Sequence, residues 1–218
     1  MAQTYHILDT ETASLSGGVV EIAWIEVDTD LNVVSEFCSR VNPERPIEPG
    51  AQVVHGISDA DVSDKPTLRE IAANLPDSIY MIAHNAPFDL RMVQDAIRVE
   101  ATLCTLSLSR QYISKVENHK LTTLAELVGA ATIGAHSALA DCRMVLRLMK
   151  YLLPMTGREI STLFSRQAGN RIVHRMPFGK YKGRLTMEVP ADYRKWLLGQ
   201  SNVDKDIVYT FKKMEGIL

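Results

Sequence analysis

Three short clusters in this 218-residue chain carry side chains able to hold a cation or move a proton. The first is Asp9-Thr10-Glu11. On a β-strand, period-two geometry turns both carboxylates to one face, with Cα atoms about 7 Å apart. Two such carboxylates repel unless a cation sits between them. At the carboxyl end of a strand in an α/β sheet, where ligands gather, oxygen ligands suit Mg²⁺ or Mn²⁺. A polar strand end making only turn contacts is the plainer alternative. The second cluster is His84-Asn85-Ala86-Pro87-Phe88-Asp89. Asn85 is placed to cap or turn the chain, and Asp89 enters the following helix; that it merely favours the N-terminal dipole is the plainer alternative. Phe88 reads as core packing, with a stacking platform for a base as the alternative. The third is His136-Ser137-Ala138-Leu139-Ala140-Asp141, with Ser137 as helix N-cap. That leaves His136 outside the helix and Asp141 about one turn inside. Were His136 helical, a spacing of five would rotate it roughly 140° from Asp141. A loop histidine and a helical aspartate can converge; a surface histidine beside a cap is the alternative.

The elements that must position these residues follow from hydrophobic patterning. Tyr5–Leu8, Val19–Val27, Val33–Val41, Ile79–Ala83 and Thr102–Thr105 read as strands. Ser16-Gly17-Gly18 is a turn, and Pro43–Pro49 interrupts the pattern. Thr67–Leu75 reads as a helix with Thr67 as cap and Glu70 three residues on. Further helices are predicted over Phe88–Ile97, Leu106–Ile113, Leu121–Val128 and Ser137–Leu153, the last ended by Pro154. The first three strands look antiparallel and the later ones alternate with helices. The expected fold class is therefore α/β, a mixed sheet flanked by helices.

Composition bounds the setting. With 46% apolar and 23% charged residues the chain is globular in type and long enough for a sizeable core. No stretch approaches the roughly 20 apolar residues that cross a bilayer, and the N-terminus lacks the basic-then-apolar pattern of a secretory signal. Cys38, Cys104 and Cys142 are odd in number and show no CxxC spacing. This argues against a disulfide framework or a zinc knuckle and for a reducing cytoplasm. Residues 1–165 carry 13 Lys and Arg against 21 Asp and Glu, whereas residues 166–218 carry 11 against 5. A basic tail thus follows an acidic body, and basic patches attract polyanions. The expected organisation is a catalytic domain over 1–155, a linker or helix over 156–175 with a joint near Gln167–Asn170, and a small basic module over 176–218.

Taken together, Asp9-Thr10-Glu11-Thr12, His84-Asn85-x-x-Phe88-Asp89 and His136-x₄-Asp141 resemble the three motifs of the DEDDh exonuclease superfamily, in family order and at family-like distances. The resemblance spans about residues 5–150 and takes in Val20-Glu21-Ile22-Ala23, Val54-His55-Gly56-Ile57 and Asp64-Lys65-Pro66. It implies a ribonuclease-H-like fold and 3′→5′ hydrolysis of nucleic acid by a two-metal mechanism with Mg²⁺ or Mn²⁺. The four charges of Asp9, Glu11, Asp89 and Asp141 would be cancelled by two divalent cations, one activating water and one stabilising the leaving 3′ oxygen. By family analogy Asp9 bridges both ions, Glu11 and Asp141 complete the nucleophile-side ion, and Asp89 acts through coordinated water. His136 would take the proton from the attacking water, a role for which imidazole chemistry is suited. Thr12 and Leu15 match positions that hold the terminal nucleotide, and His55 matches a histidine that contacts it. Gly50 stands where related proofreading subunits carry a glutamate, and Ala13-Ser14 replace the commoner Thr-Gly. Glu21 reads either as a support for a metal ligand or as a buried strand acid fixed by a hydrogen bond.

The tail adds a second resemblance, to the exodeoxyribonuclease X branch of that superfamily, through Phe178-Gly179-Lys180-Tyr181-Lys182-Gly183 and Tyr193-Arg194-Lys195-Trp196-Leu197. Lys180, Lys182 and Arg184 are candidate phosphate contacts, with Phe178 or Tyr181 as stacking surfaces. In the alternative reading Phe178, Tyr193 and Trp196 form a miniature core. The expected substrate is DNA ahead of RNA. An RNA-trimming enzyme, a silent adaptor and a polymerase-associated proofreading subunit are the rivals, and nothing in the sequence demonstrates a polymerase partner.

Overall fold

The strand that carries Asp9 and Glu11 is buried on both faces. In the computed structural model, which describes residues 3–132, 136–168, 173, 175–200 and 203–217, β1 (Tyr5–Ser14) sits at the centre of a five-stranded sheet. Tyr5 and Ile7 pack into one apolar cluster and Leu8 into another on the opposite face. A strand covered on both sides reads as a continuous apolar run. The sequence therefore shows Tyr5–Leu8 as a strand and loses it at Asp9, although pairing continues to Ser14.

β2 (Gly17–Val27) and β3 (Val33–Arg40) are antiparallel neighbours on one side, and β4 (Ile79–Ala83) and β5 (Val99–Cys104) are parallel neighbours on the other. The order is β3-β2-β1-β4-β5, a mixed sheet flanked by helices, as expected. Register places Asp9 opposite Ala23 and Glu11 opposite Glu21, followed by a bulge between Glu11 and Thr12. Such a bulge increases local twist and re-aims the side chains beyond it. The last β1–β4 pair is Ile7 with Ile82, so Asp9 and Glu11 lie past that parallel pairing, the strand-end position where ligands gather in α/β sheets.

Helices α1 (Pro49–His55), α2 (Asp59–Val62) and α3 (Leu68–Ala72) cross between β3 and β4. Of these, only α3 was foreseen, and its Thr67–Glu70 capping box forms. α4 (Ala86–Val93) begins two residues before Phe88 and ends short of Ile97; α5 (Thr105–Tyr112) and α6 (Leu121–Leu127) fall where periodicity places them. α7 (Ala138–Thr156) runs through Pro154, which was expected to end it; Gly157, with φ +62°, ends it instead. An interior proline costs about 3 kcal/mol. Met144, Val145, Leu146, Leu148, Met149 and Leu152 are buried along this helix, at about 1.5–3 kcal/mol each, and outweigh it. α8 (Ile160–Ala168) packs Ile160, Leu163 and Phe164 into the same cluster as α7.

Two compact units emerge, Met1–Phe164 and Ser165–Leu218. Of the segment Gln167–Asn170 read as a joint, Gln167 and Ala168 continue α8, and 169–170 lie outside the described residues. The second unit contains a bridge between Arg175 and Leu185, a 3₁₀ turn (Thr186–Glu188), α9 (Ala191–Leu198) and α10 (Lys205–Met214). Its core is Met176, Val189, Leu197, Ile207 and Phe211, with Phe178 and Tyr193 partly buried against it. Trp196 does not join this core and stays 55% exposed.

Candidate active site

Asp89 is the most enclosed of the acidic residues, 2% exposed, and it is held from the central strand. Thr10, between Asp9 and Glu11, donates to Asp89 Oδ1 through its backbone N–H (3.1 Å) and its hydroxyl (2.9 Å). Asn85 reaches the helix start through a left-handed backbone (φ +70°) and makes no side-chain cap bond, so it turns the chain and does not cap it. Behind this turn His84 bonds Thr105 Oγ1 and the His119 carbonyl (2.9 Å each), and His119 Nδ1 meets Ser109 Oγ at 3.0 Å. Phe88 belongs to none of the apolar clusters; it is half-buried with the Arg91 guanidinium 5.7 Å from its ring centre, so the core-packing assignment is corrected.

α7 brings the third cluster to the same strand end. The thiol of Cys142 lies 3.5 Å from the carbonyl oxygens of both Ile7 and Ala23, which seats the first turns of α7 across β1 and β2. The neighbouring Asp141 then faces Glu11: ligand atoms of Glu11, His136 and Asp141 all lie within 4.8 Å of one another. His136 is exposed and left-handed, with φ +69°, and its backbone N–H points at Asp141 Oδ1 at 3.4 Å.

Ser137 occupies the N-cap position but makes no cap bond. The first N–H of α7, that of Ala138, donates instead to Glu21 Oε2 at 2.8 Å, from a residue 117 positions earlier. The other carboxylate oxygen of Glu21 pairs with Arg40 Nε at 3.1 Å. A buried carboxylate thus satisfies one orphan donor at the positive end of the helix. Glu21→Ala would strand both partners at a cost of about 1–3 kcal/mol, lowering the melting temperature by several degrees. It should also weaken the stabilisation that Mg²⁺ gives in a thermal melt, because Asp141 and His136 flank that helix start. Glu21→Gln keeps an acceptor for Ala138 and should retain most of both; equal damage from the two variants would remove this support role.

Electrostatics show what the arrangement demands. In the metal-free chain burial, then Asp89, Asp141 and Glu11, raise Asp9 well above the ordinary carboxylate range. Burial, followed by Asp141, Glu21 and Asp89, raises Glu11 to about 7. Burial raises Asp89 to about 7 against the opposing pull of the Thr10 hydrogen bonds, and burial raises Asp141. Four carboxylates that inhibit one another's ionisation, all hard oxygen donors, fit divalent cations.

The sequence model of the RNase T exonuclease family matches residues 6–149. The chain belongs to this exonuclease family. It is similar to exodeoxyribonuclease 10 of Escherichia coli K12, 31% identical over 91% of each chain. DNA polymerase III subunit epsilon of the same strain is 29% identical over 73% of this chain and 74% of its own. A solved structure of exonuclease X in complex with 5′ overhanging duplex DNA superposes with a TM-score of 0.65 at 29% identity, over 74% of this chain and 98% of that one. A second family model, described as "Putative quorum-sensing-regulated virulence factor", matches residues 167–202. Divalent-metal dependence is a property of the exonuclease family, and the donor set accommodates it. No helix among the described residues is long and apolar enough to cross a membrane.

The remaining candidates of the exonuclease unit surround the bulge. Thr12 is nearly buried, and its carbonyl meets His55 Nε2 at 3.2 Å. His55 Nδ1 accepts the Ile57 N–H at 3.0 Å, so the ring proton sits on Nε2 and goes to Thr12. Burial lowers the pKa of His55, in keeping with this neutral form. Both ring nitrogens are engaged within the chain, which leaves the ring face and edge for outside contacts. Leu15 stands in the turn between Ser14 and Gly17, 83% exposed. Sequence reasoning missed the Thr10 grip on Asp89 and the capping role of Glu21, both carried by long-range contacts. Lys180, Lys182 and Arg184 are exposed and belong to the second unit.

Proposed function

We propose that this exonuclease degrades DNA from its 3′ ends in the cytoplasm, releasing nucleoside 5′-monophosphates with Mg²⁺ or Mn²⁺, two per site. The observation that carries the reading is the gathering of Asp9, Glu11, Asp89, Asp141 and His136 beyond the β1–β4 pairing, in a chain aligned over 91% of its length with an exodeoxyribonuclease.

Asp9, Glu11, Asp89 and Asp141 would hold the ions. When bound, these supply Lewis acidity, activating the attacking water and stabilising charge on the leaving 3′ oxygen. Thr10 fixes Asp89 so that its carboxylate presents one orientation, and Glu21 fixes the start of α7 so that Asp141 does the same. His136 accepts the water proton at a ring nitrogen, and its exposed position outside α7 lets substrate draw it inward. Thr12 and His55 position the terminal nucleotide, and the projecting Leu15 wedges against a base. In the second unit Lys180, Lys182 and Arg184 take phosphates.

The deciding experiment is a time course on 5′-labelled single- and double-stranded DNA beside a matched RNA strand, with and without EDTA. Stepwise shortening of DNA with release of mononucleotides, abolished by EDTA, is expected. Faster attack on RNA would move the assignment to an exoribonuclease, and EDTA-resistant activity would overturn the metal site.

A further inference from the structure

We propose that Trp196 is the outer ring of a stacking platform for unpaired DNA bases, built by the second unit on its own surface; the choice of DNA rests on the exonuclease reading above. On α9 a spacing of three puts Tyr193 and Trp196 on one face, with ring centres 5.3 Å apart and planes tilted by 35°. Tyr181, from the turn before the helix, meets Tyr193 edge-on at 4.8 Å. Three rings therefore run continuously from turn to helix. The outermost is the most open: Leu197 beside it is 3% exposed and fills the core, whereas Trp196 is 55% exposed. The core is complete without it.

The rings touch one another in the chain alone. Gly179 has φ +73°, and a Cβ there would stand 2.7 Å from the Tyr193 hydroxyl. Only glycine lets the turn lie against Tyr193. The same turn projects exposed Lys180 and Lys182 on either side of Tyr181, and exposed Lys195 precedes Trp196. Arg194, by contrast, is consumed internally by Glu215 and the Val189 carbonyl. Residues 166–218 carry 11 basic against 5 acidic side chains, complementary to a phosphate backbone. An exposed Trp196 ring at the end of this row, with cations beside it, fits a single strand, whose bases can leave their stack; a duplex hides its base faces.

The chain contains two tryptophans, which makes the test direct. Trp24 is buried and stacked on Phe37 at 4.0 Å. In full-length Trp24→Phe, emission reports Trp196 alone; in EDTA, titration with a dT oligonucleotide should quench it saturably, and a blunt duplex should not. Should Trp24→Phe fold poorly, the difference between wild type and Trp196→Phe gives the same signal. Trp196→Ala should weaken single-strand binding on the order of 10-fold with its salt slope unchanged. Lys180→Ala/Lys182→Ala/Lys195→Ala together should flatten the slope by about 2. Release of mononucleotides from very short substrates should survive in Trp196→Ala, which separates this proposal from the exonuclease reading itself. Absence of quenching, equal quenching by duplex, unchanged affinity in Trp196→Ala, or shielding of Trp196 from acrylamide before DNA is added would each overturn it, the last in favour of a protein contact.

Discussion

Asp9→Asn will lower nuclease turnover by about 10³-fold or more and yet leave the metal-free protein harder to melt at pH 8. The first effect follows if Asp9 acts with Glu11, Asp89 and Asp141 as one unit, since removing one member of such a unit costs nearly as much as removing all. The second follows from linkage. Burial and the neighbouring carboxylates raise the native pKa of Asp9 far above its unfolded value. Above about pH 4 the unfolded chain has released a proton that the native state still binds, so stability is lost as pH climbs toward the raised native value. Asparagine does not ionise, so it carries none of this load. The variant should therefore melt several degrees above wild type in EDTA at pH 8, with the gap closing toward pH 4.

His6, His55, His84 and His119 have native pKa values lowered by burial, which gives the opposite slope near pH 6. They are common to both proteins and cancel in the difference. Mg²⁺ should reverse the order, because a ligand at 100 times its Kd stabilises by about 2.7 kcal/mol and the variant has one carboxylate fewer to hold it. A variant that is inactive but no more stable in EDTA would show that Asp9 is not under the electrostatic load described. Melting curves from pH 4 to pH 8, in EDTA and in Mg²⁺, read the two stability effects, and a nuclease assay reads the loss of turnover.

What the sequence made legible is what is local. The Thr67–Glu70 box spans four residues and formed as expected. Strand periodicity placed Asp9 and Glu11 on one face, and the Ser137 boundary left His136 outside α7. α1 escaped because it buries no residue, so no apolar period marks it, and its Pro49 reads as an interruption when it is in fact a favourable first helical residue. Neither Asn85 nor His136 is glycine, yet both are left-handed, and no glycine signalled either turn. The supports were hidden for a different reason. Glu21 caps a helix 117 residues away, and Thr10 grips an aspartate 79 residues away; pairings of that range exist only once the sheet has set its register. Pro154 does not end α7 because its local preference yields to six large buried side chains along the helix.

His136→Asn isolates the proton acceptor from the ion site. Histidine and asparagine both tolerate the left-handed region better than most residues, so the exchange preserves a backbone at φ +69° and with it the N–H directed at Asp141. What is lost is the imidazole. General-base catalysis contributes about 10²–10⁴-fold, and kcat should fall by that amount at saturating Mg²⁺. The Mg²⁺ concentration giving half-maximal activity should move little, because the four carboxylates that form the acidic site remain. Glu11 and Asp141 share the 4.8 Å cluster with His136, so a histidine that itself ligated the ion would reveal itself differently. In that case the metal dependence and kcat would fall together, and excess Mg²⁺ would restore turnover. A kcat loss that no amount of Mg²⁺ repairs assigns His136 to the proton; recovery at high Mg²⁺ assigns it to the metal.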